Sequence, residues 1–482
     1  MSLKNNFLLV YPNITRAERY GGSLGIFGGK QIPLGVFYLA AYLRRHGCRV
    51  DVIDAEARGL PPEAIAAHLR QGGFDALGIS TTTAIFHRAV ELARIVKTAL
   101  PRLPVIAGGP HVSALPLQSL SGCEAFDYAI PQEGEESLRE TLEMIEAGTD
   151  PAKVKGLVYR RDGQVVSNPA RPYIEDLDSL PFPAYDLIPD LTVYHPPPFN
   201  YRNRPVANVI TSRGCPNECT FCAKATFGRG VRMRSAESVV EEIEMLLRRY
   251  QVREIAFVDD TFTILPDRIH QIFGLAARRG LRFPWSCKTR INTVDEGLLR
   301  YMKANGCWYV AFGVESGDEE ILKEIRKNIQ LADVERVIEI SNRTGLVTKG
   351  YFMIGHPKES LRTIEATVRL ATRLKLDQVA VTLNTPMPGT HQYQHAREYG
   401  SLEESSWSAF SFWQPVFVPA GMSREQLRAK HAEFLRRFYM RPGWLLRCAV
   451  SLLTHPNTFL QIWDLVRDFL HLARARKATV FF

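Results

Sequence analysis

Short apolar runs alternate with amphipathic stretches over the first part of the chain. Between Asn6 and about Ile145 the runs FLLVY, RVDVI, ALGIS, VIAGG and DYAI are separated by helix-like segments such as GVFYLAAYLRRHG and FHRAVELARIVKTAL. Alternation of strands and helices at this spacing predicts a parallel sheet with helices on both faces. We therefore predict a Rossmann-like α/β domain over residues 1–145, with its ligand outside the carboxyl ends of the strands.

A second alternation runs from Ala207 to about Tyr399. It contains six strand-like runs, from ANVITS to QVAVTLNT, with a helical segment after each of the first five. A consecutive β/α series of this length favours a barrel, and six strands rather than eight make a partial one. Residues 201–400 are therefore predicted to form a partial (β/α)6 barrel of the TIM type.

Residues 146–200 differ in character from both alternating segments. They hold a hairpin-like run around Asp162-Gly163, followed by the Pro-rich runs SLPFPAYDLIPD and HPPPFN. Gly and Pro in these positions indicate turns rather than long elements. We predict a connector here, strapped across the surface between the two domains.

Residues 401–482 lose the alternation and are predicted to form a mainly helical cap on the barrel, with REQLRAKHAEFLRRFYMRP, WLLRCAVSLL and FLQIWDLVRDFLHLARAR. Residues 424–477 contain eleven Lys or Arg against four Asp or Glu, which accounts for most of the net charge of +9. The charges alternate with apolar residues. A membrane-facing basic helix and a phosphate-tracking surface are therefore both open interpretations, whereas no apolar run of about 18 residues predicts a transmembrane helix.

The cysteine content changes this picture. The chain has 482 residues and eight cysteines, and its start, MSLKNNFLLVYPN, has no long apolar segment followed by a cleavage site. We therefore expect no export signal and a location in the cytoplasm, with peripheral contact at the inner membrane face as an extension. In a reducing compartment, clustered cysteines bind metal more often than they form disulfides.

Three cysteines are clustered directly after the first predicted barrel strand. The run TSRGCPNECTFCAK places Cys215, Cys219 and Cys222 in one loop. Three thiolates at this spacing can bind three corners of a [4Fe–4S] cube and leave the fourth iron open, whereas a zinc site needs a fourth ligand that the loop does not offer. The remaining cysteines show no second motif of this spacing and are interpreted as buried apolar residues: Cys48, Cys123, Cys287, Cys307 and Cys448.

The run resembles the C-x-x-x-C-x-x-C loop of the radical S-adenosylmethionine superfamily. The resemblance implies that the amino and carboxylate groups of S-adenosylmethionine bind the open iron. It also implies that an external low-potential electron donor, of the flavodoxin or ferredoxin type, drives cleavage of the sulfonium to a 5′-deoxyadenosyl radical. The order and spacing of the matching motifs extend over about 200 residues.

The same resemblance implies S-adenosylmethionine contacts along the predicted barrel. Phe221, the aromatic residue before the third cysteine, would help to seat the adenine, and Glu315 in GVESG would accept hydrogen bonds from the ribose hydroxyls. Asp259 or Asp260 in FVDDTFT would accept protons from the methionyl amino group, and a helix N-cap remains the alternative for one of them. Arg290 in CKTRI would pair with the methionyl carboxylate.

Two later runs complete the match to the barrel. GYFMIGHPKES, with Gly355, resembles the Gly-rich turn near adenine, and NTPMPGT resembles the loop after the sixth strand. His356 departs from the pattern, in which a small or apolar residue precedes the proline, and we interpret this histidine as incidental.

The amino-terminal domain resembles the cobalamin-binding domains fused to one branch of this superfamily, through ALGISTTT, AGGPHVSALP and QEGEESL. The resemblance implies cobalamin contacts from Ser80, Thr81, Thr82, Gly108, Gly109 and Gly134. Small residues suit this role because the backbone must approach the ligand closely. The run YPNITRAERYGG lacks the histidine of the D-x-H-x-x-G signature, and His111 follows the fourth strand. Cobalamin is therefore expected to bind without a protein histidine ligand, and a domain that binds no corrin is the alternative.

The main hypothesis is a cobalamin-dependent radical S-adenosylmethionine methyltransferase that acts on an unactivated carbon. FYMRP at 438–442 resembles a run in the branch with the anaerobic porphyrin-ring cyclase and hopanoid-modifying enzymes, which favours a lipid or tetrapyrrole-like substrate. One alternative uses the radical for oxidative cyclisation or rearrangement without methyl transfer. Another is a non-catalytic sensor based on the cluster. No nucleic-acid partner is expected, and the organic substrate is unidentified.

Overall fold

The computed structural model describes residues 6–20, 28–404 and 406–444. Its amino-terminal half is built on seven strands: β1 Asn6–Tyr11, β2 Arg49–Asp54, β3 Ala76–Ser80, β4 Val105–Gly108, β5 Tyr128–Ile130, β6 Val158–Arg161 and β7 Gln164–Ser167. They form one sheet in the order β2-β1-β3-β4-β5-β6-β7. The pairings among β1 to β5 are all parallel, as the alternation of strands and helices predicts.

Helices cover both faces of this sheet. They are α1 Arg16–Tyr20, α2 Leu34–Arg45, α3 Ala55–Arg58, α4 Pro62–Gly72, α5 Phe86–Ala99, α6 Pro110–Ala114, α7 Pro116–Ser121 and α8 Glu135–Ala147. In β1, Phe7 and Leu9 pack into one hydrophobic cluster, whereas Leu8 and Val10 pack into another. Successive side chains of a strand point to opposite faces, so a strand buried on both sides is apolar throughout. The predicted Rossmann-like domain is confirmed.

The hairpin in the predicted connector belongs to the sheet. β6 pairs antiparallel with β5 through Ala129 and Val158, and β7 pairs antiparallel with β6. The turn between them uses Asp162 and Gly163, with φ of 51° and 78°. Positive φ at both central residues suits the twist of a two-residue hairpin, and Asp-Gly accommodates it well. The hairpin therefore extends the first domain instead of crossing the surface between the domains.

The second half is a sheet of six parallel strands in chain order. They are β8 Val206–Val209, β11 Glu254–Phe257, β12 Trp285–Thr289, β13 Cys307–Glu315, β14 Val347–Ile354 and β15 Gln378–Leu383. The pairings are parallel throughout, which confirms the predicted six-stranded partial barrel. Two short strands after β8, β9 Ser212–Arg213 and β10 Arg232–Met233, pair antiparallel on their own.

Amphipathic helices enclose the outer face of the barrel. They are α9 Ala236–Arg248, α10 Pro266–Arg278, α11 Glu296–Ala304, α12 Glu319–Glu324, α13 Leu331–Arg343, α14 Leu361–Arg373, α15 His391–Tyr399 and α16 Arg424–Tyr439. In α9, Val239, Val240, Ile243 and Leu246 are fully buried in the main hydrophobic cluster. Their spacing gives one apolar stripe, so the helix packs on the strands and leaves its charged positions outside.

The region after the barrel is only partly helical. β16 Gly400–Leu402 pairs antiparallel with β17 Phe417–Pro419, and α16 follows. The predicted helical cap therefore holds for α16 and not for the preceding segment. The predicted helices WLLRCAVSLL and FLQIWDLVRDFLHLARAR lie outside the described residues. Among the described helices, none is long and apolar enough to cross a membrane.

Candidate active site at the interface of the two domains

The loop after β8 carries the three cysteines and is closed at its base by the β9–β10 ladder. Gly214 begins the loop with φ of 89°, and a Cβ atom there would lie 2.1 Å from the carbonyl oxygen of Gly230. Only glycine fits such an approach without displacing backbone. The glycine before Cys215 in the motif is therefore explained by packing of the loop against its own return segment.

The cysteines differ in their surroundings. Cys219 is buried, Cys215 is half-buried and Cys222 is exposed to a cavity. Desolvation within the cavity, together with the neighbouring Asp260, Cys219 and Cys215, raises the pKa of Cys222 to about 12, which places the three thiols in one neighbourhood. In the described part of the chain, no group of three or more His, Cys, Asp or Glu residues converges on the position of a single metal ion. A mononuclear zinc site does not fit this arrangement, whereas three thiolates of a cube bind three different irons.

Polar groups already donate to two of the sulfurs. Asn217 Nδ2 donates to Cys215 Sγ at 3.3 Å, and Arg290 Nη1 donates to Cys219 Sγ at 3.3 Å. Hydrogen bonds to sulfur are a main determinant of the potential of an iron–sulfur cluster. The donor set therefore fits a [4Fe–4S] cluster, and Arg290 contacts Cys219, one of the predicted cluster ligands, directly.

Lys327 joins three of the residues predicted to contact S-adenosylmethionine. Its Nζ donates to Glu315 Oε1 at 2.7 Å and lies 5.9 Å from the ring centroid of Phe221. Arg290 also donates to the backbone oxygen of Lys327. Glu315 ends β13 with φ of 71°, so its carboxylate stands at the strand end. No sequence motif marks Lys327, because its role depends on its contacts with residues from other parts of the chain.

The turn after β14, the fifth strand of the barrel, forms the wall opposite Lys327 and Glu315. Glu359 Oε2 accepts hydrogen bonds from the backbone N–H groups of Gly355 and His356, while its Oε1 has no partner. Burial raises the pKa of Glu359 to about 8 and lowers the pKa of His356 to about 3. Neither ring nitrogen of His356, whose ring lies 5.8 Å from Phe221, has a hydrogen-bond partner, and neither does either amide atom of Asn384. Buried polar atoms without partners mark space for a polar ligand or water, which fits a nucleoside.

The two neighbouring aspartates separate into different roles. Asp259 is buried, and its Oδ1 accepts from Thr211 N at 3.0 Å and from the hydroxyls of Thr211 and Ser212. It therefore fixes the base of the cysteine loop. Asp260 instead lines the cavity with Cys222 and Lys224. Burial raises its pKa, and Lys224 and Lys288 act against that rise.

A single cavity of about 550 Å³ joins the two domains. Five of the predicted cobalamin contacts line it: Ser80, Thr82, Gly108, Gly109 and Gly134. Thr81 does not, since it is fully buried and its N–H donates to the Gly108 oxygen at 2.9 Å. Cys215, Cys222 and Asp260 line the same cavity from the barrel side.

The floor of the cavity is kept free of side chains. A Cβ atom on Gly35 would meet nothing within 4 Å, and one on Gly108 would meet only the Ile130 oxygen at 3.6 Å. These glycines leave a cradle that side chains would fill, which fits a large flat ligand lying on the strand ends. Among the described residues that line the cavity there is no histidine, and His111 packs instead against Phe86 with ring centroids 4.0 Å apart.

Buried ion pairs hold the cysteine loop against the first domain. Arg213, one residue before Gly214, donates to Glu133 Oε1 and Glu135 Oε1, each at 2.7 Å. Arg232, the partner of Arg213 in the β9–β10 ladder, donates to Glu133 Oε2 at 2.7 Å. The QEGEES turn is thus the docking point for the cysteine loop, a role that its resemblance to cobalamin-binding domains did not indicate.

This combination defines a class: a Rossmann-like domain that presents small-residue loops to a three-cysteine loop on a six-stranded partial barrel. The family models of the radical SAM superfamily and of the B12 binding domain match residues 209–371 and 24–142. The chain belongs to the cobalamin-binding radical S-adenosylmethionine family, whose cofactors are a [4Fe–4S] cluster, S-adenosylmethionine and cobalamin. It is an enzyme that requires a reductant and an organic substrate.

The relatives include methyltransferases and cyclases. The chain is 32% identical to an uncharacterized methyltransferase of Pyrococcus horikoshii, over 93% of this chain and 95% of that protein. It is 27% identical to the anaerobic magnesium-protoporphyrin IX monomethyl ester cyclase of Rubrivivax gelatinosus, over 91% of this chain and 78% of that protein. The structure is similar to the radical S-adenosylmethionine methyltransferase TsrM of Kitasatospora setae, solved with cobalamin and a [4Fe–4S] cluster. The TM-score is 0.70 at 17% identity, over 92% of this chain and 90% of that chain, so this likeness supports the fold.

Proposed function

We propose that the enzyme methylates an unactivated carbon of an organic substrate. One observation carries the proposal: the cavity of about 550 Å³ is bounded by the cobalamin-type loops on one side and by Cys215 and Cys222 on the other. When bound, the cluster with S-adenosylmethionine supplies an organic radical and cobalamin supplies the methyl group. A substrate in this cavity would face both cofactors, so no side chain has to act as a nucleophile.

The residues of the barrel would bind and orient S-adenosylmethionine. Asp260, at the cavity wall, is better placed than Asp259 to accept protons from the methionyl amino group. Arg290 uses three of its five N–H groups on Cys219, Asn292 and Lys327, which leaves two for the methionyl carboxylate. The ammonium group of Lys224 has no hydrogen-bond partner and lines the cavity. It would add a second positive charge for the methionyl carboxylate.

The nucleoside end would lie between the third-cysteine segment and the fifth-strand turn. Phe221 packs against the adenine, Glu315 accepts from the ribose hydroxyls while Lys327 holds its other side, and Gly355 gives the backbone turn. The cobalamin tail would lie along Ser80, Thr82, Gly108, Gly109 and Gly134. We assign cobalamin to residues 1–145 with the added hairpin, and the cluster to residues 201–400.

The substrate class remains the family-level proposal of a lipid or a tetrapyrrole-like molecule. We further propose that a flavodoxin or ferredoxin in the cytoplasm supplies the electron. The basic residues after the barrel would give peripheral contact with the inner membrane face. Oxidative cyclisation without methyl transfer is the second candidate, because a cyclase matches the chain over nearly the same length as the methyltransferase.

Product analysis without added substrate distinguishes a methyltransferase from a cyclase and from a cluster-based sensor. The protein is purified without oxygen, reconstituted with iron, sulfide and cobalamin, and incubated with dithionite and S-adenosylmethionine. A methyltransferase yields S-adenosylhomocysteine from methyl donation to cobalamin and 5′-deoxyadenosine from radical cleavage. A cyclase yields only 5′-deoxyadenosine, and a cluster-based sensor yields neither. The Cys215→Ala, Cys219→Ala, Cys222→Ala triple variant must lose 5′-deoxyadenosine, whereas the buried Cys123→Ala control retains it.

A further inference from the structure

Two lysines lie on the inner face of the barrel, on strands that are separated by one other strand. In the strand register Lys288 of β12 is beside Ala311 of β13, and Ala311 is beside Lys349 of β14. Neighbouring strands are about 4.8 Å apart, so the Cα atoms of the two lysines are roughly 10 Å apart. Their neighbours Cys287 and Gly350 face the outer core, which directs both lysines inward because side chains alternate along a strand.

Neither lysine has a counter-ion. In the part of the chain that the structure describes, Lys288 and Lys349 make no ion pair and neither ammonium group donates a hydrogen bond, although Lys349 is only 9% exposed. The ammonium of Lys349 lies 5.5 Å from the ring centroid of Tyr351, two residues further along β14. A buried, unpaired cation is costly, so the fold retains this one at the expense of stability.

The charged groups that face the lysines do not offset the cost of burying the Lys349 cation. Asp260 lies at the cavity mouth and interacts with Lys288 only at longer range. Glu315 is engaged by Lys327 at 2.7 Å. Burial lowers the pKa of Lys349, the Tyr351 phenol acts in the opposite direction, and Lys288 lowers it further. Lys288, Ala311 and Lys349 form a row across three strands. This row therefore has an excess of positive charge that the surrounding elements do not neutralise.

The row is open to solvent at Lys288. Ala311 between the lysines is small and buried, and a Cβ atom on Gly313, the next inward position on β13, would lie 2.6 Å from Lys327 Nζ and 2.7 Å from Glu315 Oε1, so those two side chains occupy the space at that level. Lys288 is exposed although the adjacent Cys287 and Thr289 are buried, so solvent reaches the row. Ala311 is four residues before Glu315, which puts the row about 13 Å deeper than the strand end at about 3.3 Å per residue. The site therefore lies below the layer that S-adenosylmethionine would occupy.

We infer that Lys288 and Lys349, with the hydroxyl of Tyr351, bind an anionic group of the organic substrate, a carboxylate or a phosphate. The inference rests on the proposed function, since it places the far end of the substrate inside the barrel while the reacting carbon faces the cavity between the cofactors. Two ammonium groups flanking a small residue suit an anion with several oxygens, because each oxygen can accept from a different donor.

Binding of two simple anions tests the site. Inorganic phosphate and succinate are titrated separately into the reconstituted protein, and the rate of acetylation of Lys349 is followed by peptide mass spectrometry beside calorimetric binding. We expect at least one anion to bind and to slow acetylation of Lys349 several-fold, and the stronger of the two identifies the group. Lys288→Met and Lys349→Met should weaken binding at least tenfold, Lys349→Arg should retain it, and the exposed Lys375→Met control should match the wild type.

Three results overturn the inference: neither anion protects Lys349, the methionine variants bind as the wild type does, or S-adenosylmethionine displaces the anion from the wild-type protein. Lys288→Met is at an exposed position, so the test survives if Lys349→Met does not fold. The proposed function is tested apart from this site, by formation of 5′-deoxyadenosine and S-adenosylhomocysteine by the wild type without any anion. Either proposal can fail while the other stands.

Discussion

Arg213 donates to Glu133 at 2.7 Å across the boundary between the two domains, and both side chains are at least 94% buried. The contact links the segment that leads into the cysteine loop to the turn that borders the cavity between the domains. Because both side chains are buried where the domains meet, loss of either partner would leave the other charge buried and unpaired. The relative position of the two cofactor sites is therefore set by this ion pair and by its neighbours Glu135 and Arg232.

Removal of the Glu133 charge should destabilise the protein strongly. In Glu133→Gln both Arg213 and Arg232 lose a buried carboxylate, and breaking a buried pair costs about 3–5 kcal/mol. Urea unfolding monitored by tryptophan fluorescence measures the change. The control is Glu218→Gln, whose partner Arg229 is 69% exposed, and the change there should stay below about 1 kcal/mol. Equal losses of unfolding free energy in Glu133→Gln and Glu218→Gln would show that the buried pair between the domains contributes no more than an exposed pair.

Gly214→Ala should abolish cluster assembly. The added Cβ would lie 2.1 Å from the Gly230 oxygen at a φ of 89°, so the loop cannot keep its path. Iron analysis after reconstitution should fall from about four irons per chain to below one. Gly230→Ala is a matched control in the same loop, because a Cβ there meets nothing within 4 Å, and it should retain iron. Full iron content in Gly214→Ala would contradict the packing argument.

Lys327→Met should weaken S-adenosylmethionine binding by at least tenfold. The substitution removes the cation that orients Glu315 and lies 5.9 Å from Phe221. Equilibrium binding of S-adenosylmethionine to the reconstituted protein gives the dissociation constant, and iron content shows whether the cluster is retained. Lys323→Met, at an exposed position on α12, serves as the control. Unchanged affinity in Lys327→Met would remove Lys327 from the site.

Glu359 should contribute a loss of stability as pH rises from about 4.5 to 8. Burial raises the pKa of Glu359 to about 8 in the folded state, above its unfolded value of about 4.3. The folded state thus retains a proton that the unfolded state releases, and the slope approaches about 1.4 kcal/mol per pH unit. In urea unfolding at several pH values, Glu359→Gln should reduce the loss of stability relative to the wild type, while Glu254, whose pKa burial raises to about 7, still contributes a loss of the same sign.

His356 makes the opposite contribution over an overlapping range, so the two contributions offset each other between about pH 4.5 and 6.5. Burial lowers its pKa to about 3, below its unfolded value of about 6.5, so stability is lost as pH falls through that interval. Between about pH 6.5 and 8, where the His356 contribution is constant, the Glu359→Gln variant should therefore lose less stability than the wild type. Equal losses in the two proteins over that range would contradict the assignment to Glu359.

The periodic part of the fold could be predicted from the sequence, since strand alternation and helix stripes are local properties. The hairpin at Asp162-Gly163 was recognised, but its pairing with β5 depends on Ala129, far away in the sequence. The strands β16 and β17 have only three residues each, which is too short for a pattern to show.

The candidate site also contains residues that the sequence predicts and residues that it does not predict. The cysteine motif located the loop, whereas Asp259 and Asp260 could not be separated because both follow the end of β11, where alternation no longer fixes direction. Lys327 and the pairing of Arg213 with Glu133 arise from tertiary contacts, and for the latter the partners are 80 residues apart. No local signal carries that information.

The ladder between Ser212–Arg213 and Arg232–Met233 joins the two ends of the cysteine segment by backbone pairing that does not involve the cysteines. The chain entropy lost on joining the two ends of this loop is therefore spent during folding and not during metal capture. Cluster assembly therefore has to order only the residues between the two paired ends of the loop. A protein stripped of iron by air should consequently keep its shape there and reload under reducing conditions without passing through an unfolded state.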